Sequence, residues 1–427
     1  MTQTSPTPTI EDARAPGPDV QSAERRKLLM LAGILTGGIV LSLMTGTFPV
    51  VGFCLAMAAV VMLHEAAHFA VAKLSGMKAT EFFLGFGPRL WSVRKGETEY
   101  GIKALPLGGY VKIIGMSNLE RDIDPADEPR TYRQGTYPRR MAVALAGVAT
   151  HFVLAFLLLV VLLSAVGVPN YDKPTLQVGA LSRLDTGASP AVAAGFRVGD
   201  RIVAVNGTPV AAWDDVRSFI SGNAGQPVTF LVDREGVQQE LRVVPTVLER
   251  NGEARGFVGI SPRPAVETMG PVAASGEAVV DIWKLTTGSF AALGSFFSPG
   301  SLSNYADQLT NADGAASQSD DSRIISVVGV ARIAGQAAES GAFNVIYLLV
   351  LMNIFIGVFN LIPLLPLDGG HVAIATYERI RSRAGRRYQA DVGKMMPIAA
   401  AVIVVLVLLG VTSIYLDIVR PLSNPFQ

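Results

Sequence analysis

Residues 28–63 carry no charged side chain, a run that only a membrane or a large dry core can accommodate. As one helix it would be roughly 54 Å long, well beyond a hydrocarbon core of about 30 Å. It must therefore break, and "TGTFPVV" (45–51), with Gly46 and Pro49, is the natural place. Two helices follow, over 28–44 and 50–74. Three more apolar runs, Met141–Val168, Ser340–Leu367 and Met395–Leu416, place spans at 139–168, 340–371 and 395–417. Five spans is the reading, with four as the alternative. "ERRKLL" ahead of the first run also suits a secretory signal, but no small-x-small cleavage site follows. Half the residues are hydrophobic, 17% are charged and the mean hydropathy is +0.38, too apolar for an ordinary soluble protein. The fold class is thus an α-helical polytopic membrane protein with a soluble part.

Positive charge orients the spans. Arg25, Arg26 and Lys27 precede the first, and Arg139 and Arg140 precede the third. Arg379, Arg381, Arg383, Arg386, Arg387 and Lys394 lie between the last two. With five spans all three clusters fall on one side, which is expected to be cytoplasmic. The N-terminus and residues 75–138 would then lie on the cytoplasmic side of the cell membrane, and 169–339 and the C-terminal tail on the outer side. The net charge of +1 says nothing about nucleic acid, but no basic run of the kind that binds it appears and no such partner is expected; the single Cys54 excludes a disulfide framework.

Residues 1–24, rich in proline and polar side chains, read as a disordered cytoplasmic tail. Residues 78–116 alternate apolar and polar side chains around "RKGE" and are dense in glycine, which predicts a β-hairpin region against the cytoplasmic face. Residues 177–247 read as a compact α/β module. A short strand and the helix "SPAVAAG" lead into "GFRVGDRIVAVNGTPV" with its Asn206-Gly207 turn. The amphipathic helix "AWDDVRSFISG" and the hairpin "PVTFLVDREGVQQELRVVP" follow. This pattern resembles a PDZ domain, a fold that takes up extended peptides as an added strand. Residues 277–337 read as segments on the outer membrane surface, around a mobile loop at 298–322.

The apolar second span contains "HEAAH" (64–68). Ionisable side chains in hydrocarbon cost a few kcal/mol even on lenient scales, so something must offset them. His64 and His68 are four residues apart and project from one helix face, where both can ligate one metal. Glu65 is placed to reach a water on that metal as general base. A catalytic zinc takes three protein ligands, and the third must come from another span. Asp368 in "FNLIPLLPLDGGHVA" (359–373) is the candidate, at the same expected depth as His68. Pro363 and Pro366 disfavour regular helix before it, and Gly369 and Gly370 permit close backbone approach.

"HEAAH", "FLGFGPRLW", "KALPLGGYVKIIGM", the PDZ-like module and "NLIPLLPLDGGH" together resemble the site-2 protease family of intramembrane zinc metalloproteases. The single module and "ISVVGVARI" (325–333) look most like bacterial, actinobacterial-type members. The resemblance covers residues 50 to 427. It implies a four-span core and an extracytoplasmic PDZ insertion, with Zn²⁺ held by His64, His68 and Asp368 and Glu65 activating water. It also implies that Asn360 helps hold the substrate chain, and that the glycine-rich hairpin, with Gly85, Gly87, Gly108 and Gly109, guides substrate as an added strand. The implied substrates are transmembrane segments of single-span proteins, such as anti-sigma factors already trimmed outside, and the PDZ domain would filter bulky ones or bind a peptide. "AGVATH" (146–151) departs from the family's Ala-Gly-Pro-x-x-Asn, with Val148 for proline and His151 for asparagine. His151 and His371 could touch the ligands rather than the metal, and for His151 a hydrogen-bonded core role is the better fit. The first span exceeds the family core. The rival reading is a PDZ-bearing membrane scaffold or chaperone with a non-catalytic metal site.

Overall fold

The computed structural model describes residues 18–116, 120, 122–182, 189–250, 253–310, 324–382 and 388–420. Among them, five helices are long and apolar enough to cross a membrane: Arg25–Met44, Phe48–Leu74, Tyr137–Val166, Ala342–Asn360 and Val392–Val419. The chain is a multi-pass membrane protein with β structure. It divides into two compact units, one of residues up to 160 and from 275 on, the other Val161–Ala274.

In the first unit, α1 (Pro18–Met44) begins inside the tail expected to be disordered. Proline suits a first helical turn, because its missing N–H would be unpaired there anyway. Residues 1–17 of that tail lie outside the described residues. The predicted break falls at Gly46 (φ +71°), and α2 (Phe48–Leu74) restarts with Pro49 in its first turn. Next come β1 (Ala79–Lys95) and β2 (Thr98–Ile113), an antiparallel hairpin turning at Gly96. The register shows more than a hairpin. Phe82 faces both Tyr100 and Val111, and Phe83 faces both Gly101 and Tyr110. The ribbon therefore folds back on itself into four passes, with 109–113 along one edge. Gly85 permits the bend: its φ is +88° and a Cβ there would lie 2.7 Å from the Leu105 carbonyl oxygen. At the turn, the Arg130 guanidinium holds the Glu97 carboxyl at 2.8 and 2.9 Å, and Lys73 pairs with it as well. Arg130 and then Lys73 lower its pKa to about 2. The tie is thus complete at neutral pH and is lost as pH falls from about 4.5 towards 2. The third span is α3 (Tyr137–Val161), continued by a π-helical turn over Leu162–Val166.

The second unit runs wider than 177–247. It comprises β3 (Val168–Leu181), α4 (Pro190–Ala193), β4 (Arg201–Val205), β5 (Thr208–Pro209), α5 (Trp213–Gly222), β6 (Val228–Arg234) and β7 (Val237–Val243). The hairpin β8 (Thr246–Arg250) and β9 (Glu253–Phe257) and the strand β10 (Ile260–Glu267) complete it. The sheet order is β10-β3-β4-β6-β7, with β5 on β4, all antiparallel. Two prolines in β10 hid it from a strand reading; its edge position tolerates them. Asn206 (φ 52°) and Gly207 (φ 76°) make the predicted turn, whose two positive φ values favour these residues. The Asp215 carboxylate accepts the Ala211 and Ala212 amides at 3.0 Å, closing the start of α5. Val216 and Ile220 of α5 join Val178, Ile202, Val205, Phe230 and Val232 in one core.

The chain then forms α6 (Pro271–Phe296), α7 (Pro299–Thr310) and α8 (Val327–Ser340). The stretch expected as a mobile loop is therefore helical over Pro299–Thr310, and 311–322 lies outside the described residues. The span expected over 340–371 is two helices, α9 (Ala342–Asn360) and α10 (Asp368–Arg381), because Pro363 and Pro366 interrupt it. Arg383, Arg386 and Arg387 lie outside the described residues. The last helix is α11 (Met396–Val419). Its Asp417 is fully buried and accepts the Ser326 amide at 2.7 Å, while Ser326 Oγ caps Val328 and Gly329. A carboxylate at the start of α8 meets unpaired N–H groups and the positive end of the helix dipole. Asp417→Ala is expected to lower stability by about 1.5–3 kcal/mol, the range for a charge-assisted hydrogen bond. Thermal unfolding in detergent measures it, and an unchanged midpoint would remove Asp417 as the cap.

Candidate metal centre

On α2, His64 and His68 are buried and their Nε2 atoms lie 3.1 Å apart. Asp368 enters as the first residue of α10, with Oδ2 3.3 Å from each Nε2. The carboxylate reaches this point because residues 361–367 fold back tightly over the helix start. A Cβ on Gly369 would lie 2.3 Å from the Ile362 carbonyl oxygen, and one on Gly370 would lie 2.7 Å from the Leu365 amide nitrogen. Only glycine fits at either place. The motif "LDGG" is thus a carboxylate followed by the space needed to bring it beside the two imidazoles.

The donor set fits a divalent cation. His68 Nδ1 donates to the Val143 carbonyl at 2.7 Å, which fixes the tautomer and leaves the Nε2 lone pair facing inward. Asp368 Oδ2 is buried and has no hydrogen-bond partner among the described residues. Three acceptor atoms packed this closely repel unless a cation sits among them. Their separations match the ligand spacing of about 3.3 Å that tetrahedral bonds of about 2.0–2.1 Å to zinc produce.

Two neighbours complete the centre. Glu65 is not one of the three converging groups. It stands against the edge pass of the β layer, where a Cβ on Gly109 would lie 3.2 Å from Glu65 Cγ. From the other side, α3 brings Gly147 flat against the imidazoles: a Cβ there would lie 2.4 Å from His64 Cε1 and from His68 Nε2. Gly147 escaped the sequence reading, although it sits in "AGVATH" directly before Val148, the first position that departs from the family pattern. His151 is buried with its ring centre 5.0 Å from that of His64, and its Nδ1 donates to Asn353 Oδ1 at 3.1 Å. It is a buried, hydrogen-bonded histidine beside the His64 ring. His371 lies three residues past Asp368, edge-on to the Tyr132 ring at 6.3 Å. Asn360 ends α9. Gly87 (φ +84°) and Gly108 (φ +147°) join Gly85 in shaping the β layer, and of Gly85, Gly87, Gly108 and Gly109 it is Gly109 that is brought against Glu65.

Fold and site define a class: a membrane-embedded metalloprotease built on an HExxH helix, with two histidines and a distant aspartate for one zinc ion. The model of "Peptidase family M50" matches residues 52–406, and the chain belongs to that family, the site-2 proteases. It is similar to "Zinc metalloprotease Rip1" of Mycobacterium tuberculosis (strain H37Rv), 33% identical over 418 residues, covering 87% of this chain and 98% of the relative. "Zinc metalloprotease Rip1" of Mycolicibacterium smegmatis is 34% identical over 405 residues, covering 88% and 98%. "Putative zinc metalloprotease R01501" of Rhizobium meliloti is 31% identical over 357 residues, covering 79% and 88%.

Proposed function

We propose that this intramembrane zinc metalloprotease cuts transmembrane segments of single-span proteins, with anti-sigma-factor-like proteins already trimmed outside as the substrate class. The carrying observation is the convergence of His64, His68 and Asp368, from two separate helices, with the Glu65 carboxylate on the same helix as the histidines. Bound zinc supplies Lewis acidity, polarising the scissile carbonyl and acidifying water. Glu65 takes the proton of the attacking water and delivers it to the leaving amine nitrogen. A helical substrate hides its carbonyls in i→i−4 hydrogen bonds and must unwind first. The edge pass 109–113 offers replacement backbone partners next to Glu65. Asn360, at the opening of the 361–367 turn, would hold the other side of the extended chain.

The orientation rests on the positive clusters, with the N-terminus cytoplasmic and the unit Val161–Ala274 outside a cell membrane. That unit is read as a PDZ domain, supported by its antiparallel sheet, its Asn-Gly turn and the two helices in its core. It would exclude substrates with bulky outer domains or bind a peptide.

The test is zinc per chain in detergent-purified protein, wild type against Asp368→Ala. About one zinc in the wild type, lost or weakened in the variant, is expected. Equal zinc in both would remove Asp368 from the site.

A further inference from the structure

We propose that the buried ion pair Arg140–Glu378 is the device that positions Asp368, and hence sets how firmly the site holds zinc. This rests on the reading of Asp368 as a ligand.

Arg140 Nη1 and Glu378 Oε2 are 2.5 Å apart, and both side chains are less than one-tenth exposed. Glu378 uses its second oxygen to accept the Ala390 amide at 2.7 Å, so one carboxylate joins α3, α10 and the chain leading into α11. The Arg140 guanidinium also lies over the Tyr132 ring at 5.0 Å, and Tyr132 donates to the Arg140 carbonyl at 3.2 Å. That same ring meets His371, one turn after Asp368.

The placement of the pair is more telling than its presence. On α3, Arg140 shares a face with Val143, whose carbonyl holds His68, and with Gly147, which lies against both imidazoles. On α10, Glu378 lies on the side of the helix that carries His371 and, at its start, Asp368. The pair therefore fixes the register of the helix that aligns the histidines against the helix that delivers the carboxylate. A displacement well under an ångström would take Oδ2 out of bonding distance from a metal at about 2 Å.

Stability alone does not account for it. A buried ion pair is often matched or bettered by apolar side chains of similar volume. Among the described residues this one also leaves Arg140 Nε buried without a partner, a cost that an apolar pair would not carry. What an apolar pair cannot supply is a directional lock on register.

Zinc release from the full-length, detergent-purified chain to a chromophoric chelator separates these roles, with the thermal midpoint recorded alongside. The variants are Glu378→Gln, the apolar pair Arg140→Met with Glu378→Met, Arg140→Lys, and Asp368→Ala as control. Glu378→Gln is expected to release zinc about 10–100-fold faster, the usual cost of losing a group that orients a ligand. The apolar pair is expected to regain the wild-type midpoint yet still release zinc at least about tenfold faster. Wild-type release from the apolar pair would make the ion pair a matter of stability only and overturn the proposal. If neither variant folds, Arg140→Lys decides: faster release supports positioning, and unchanged release overturns it. Asp368→Ala that keeps zinc as wild type does would instead remove the ligand reading beneath the proposal.

Discussion

Glu65→Gln is expected to keep about one zinc per chain while cleavage of a transmembrane substrate falls by about 10²–10⁴-fold, the usual worth of a general base. Glutamine preserves the size of the side chain and its packing beside Gly109, so the β layer and the histidines stay in place. It cannot accept the proton of the attacking water. The metal site is unaffected because His64, His68 and Asp368 converge without Glu65. Zinc content and cleavage are measured on the same preparation. Full cleavage by the variant would end the hydrolytic role of Glu65 and revive a scaffold with a non-catalytic metal.

The parts legible in the sequence were those with a short period or a hard physical limit. Charge-free length against bilayer thickness gave the spans, and Gly46 with Pro49 marked the break between the first two. The spacing of His64 and His68 gave a shared face, and the scarcity of acids in the fourth apolar run singled out Asp368. What stayed hidden depends on non-local packing. A glycine needed because two imidazoles from another helix press on it looks, in sequence, like any small residue of an apolar span. Arg140 read as part of a topological charge cluster, and its partner lies 238 residues away. The four-pass β layer was hidden for a similar reason: alternation reveals a strand but not that Phe82 has neighbours on both sides. The start of α1 at Pro18 was masked by polar composition, which describes solvation better than backbone conformation.

Gly147→Ala is expected to cost more zinc affinity than any substitution outside the ligands themselves. The added carbon would sit 2.4 Å from His64 Cε1 and His68 Nε2 and 2.5 Å from His64 Nε2, inside any permitted contact. The His68 ring cannot retreat freely, because it is tied to the Val143 carbonyl on the same helix as the new methyl, and the His151 ring, also on α3, already lies 5.0 Å from that of His64. Either α3 moves away from α2 or the imidazoles rotate off the metal. A shift of α3 would also strain its tie to α10 through Arg140 and Glu378. The expected result is a loss of zinc affinity of at least about 10–100-fold, the range for losing an orienting contact, because here the ligands themselves are displaced. Overpacking costs typically about 1–3 kcal/mol of stability, so the protein should still be recoverable in detergent. Zinc titration of the stripped protein measures the effect. Ala146→Gly is the control: next to Gly147 on the same helix, it removes bulk instead of adding it and should leave zinc binding near wild type. Equal zinc affinity in Gly147→Ala and wild type would mean that α3 does not close the site, and the three-helix centre would have to be redrawn around α2 and α10 alone.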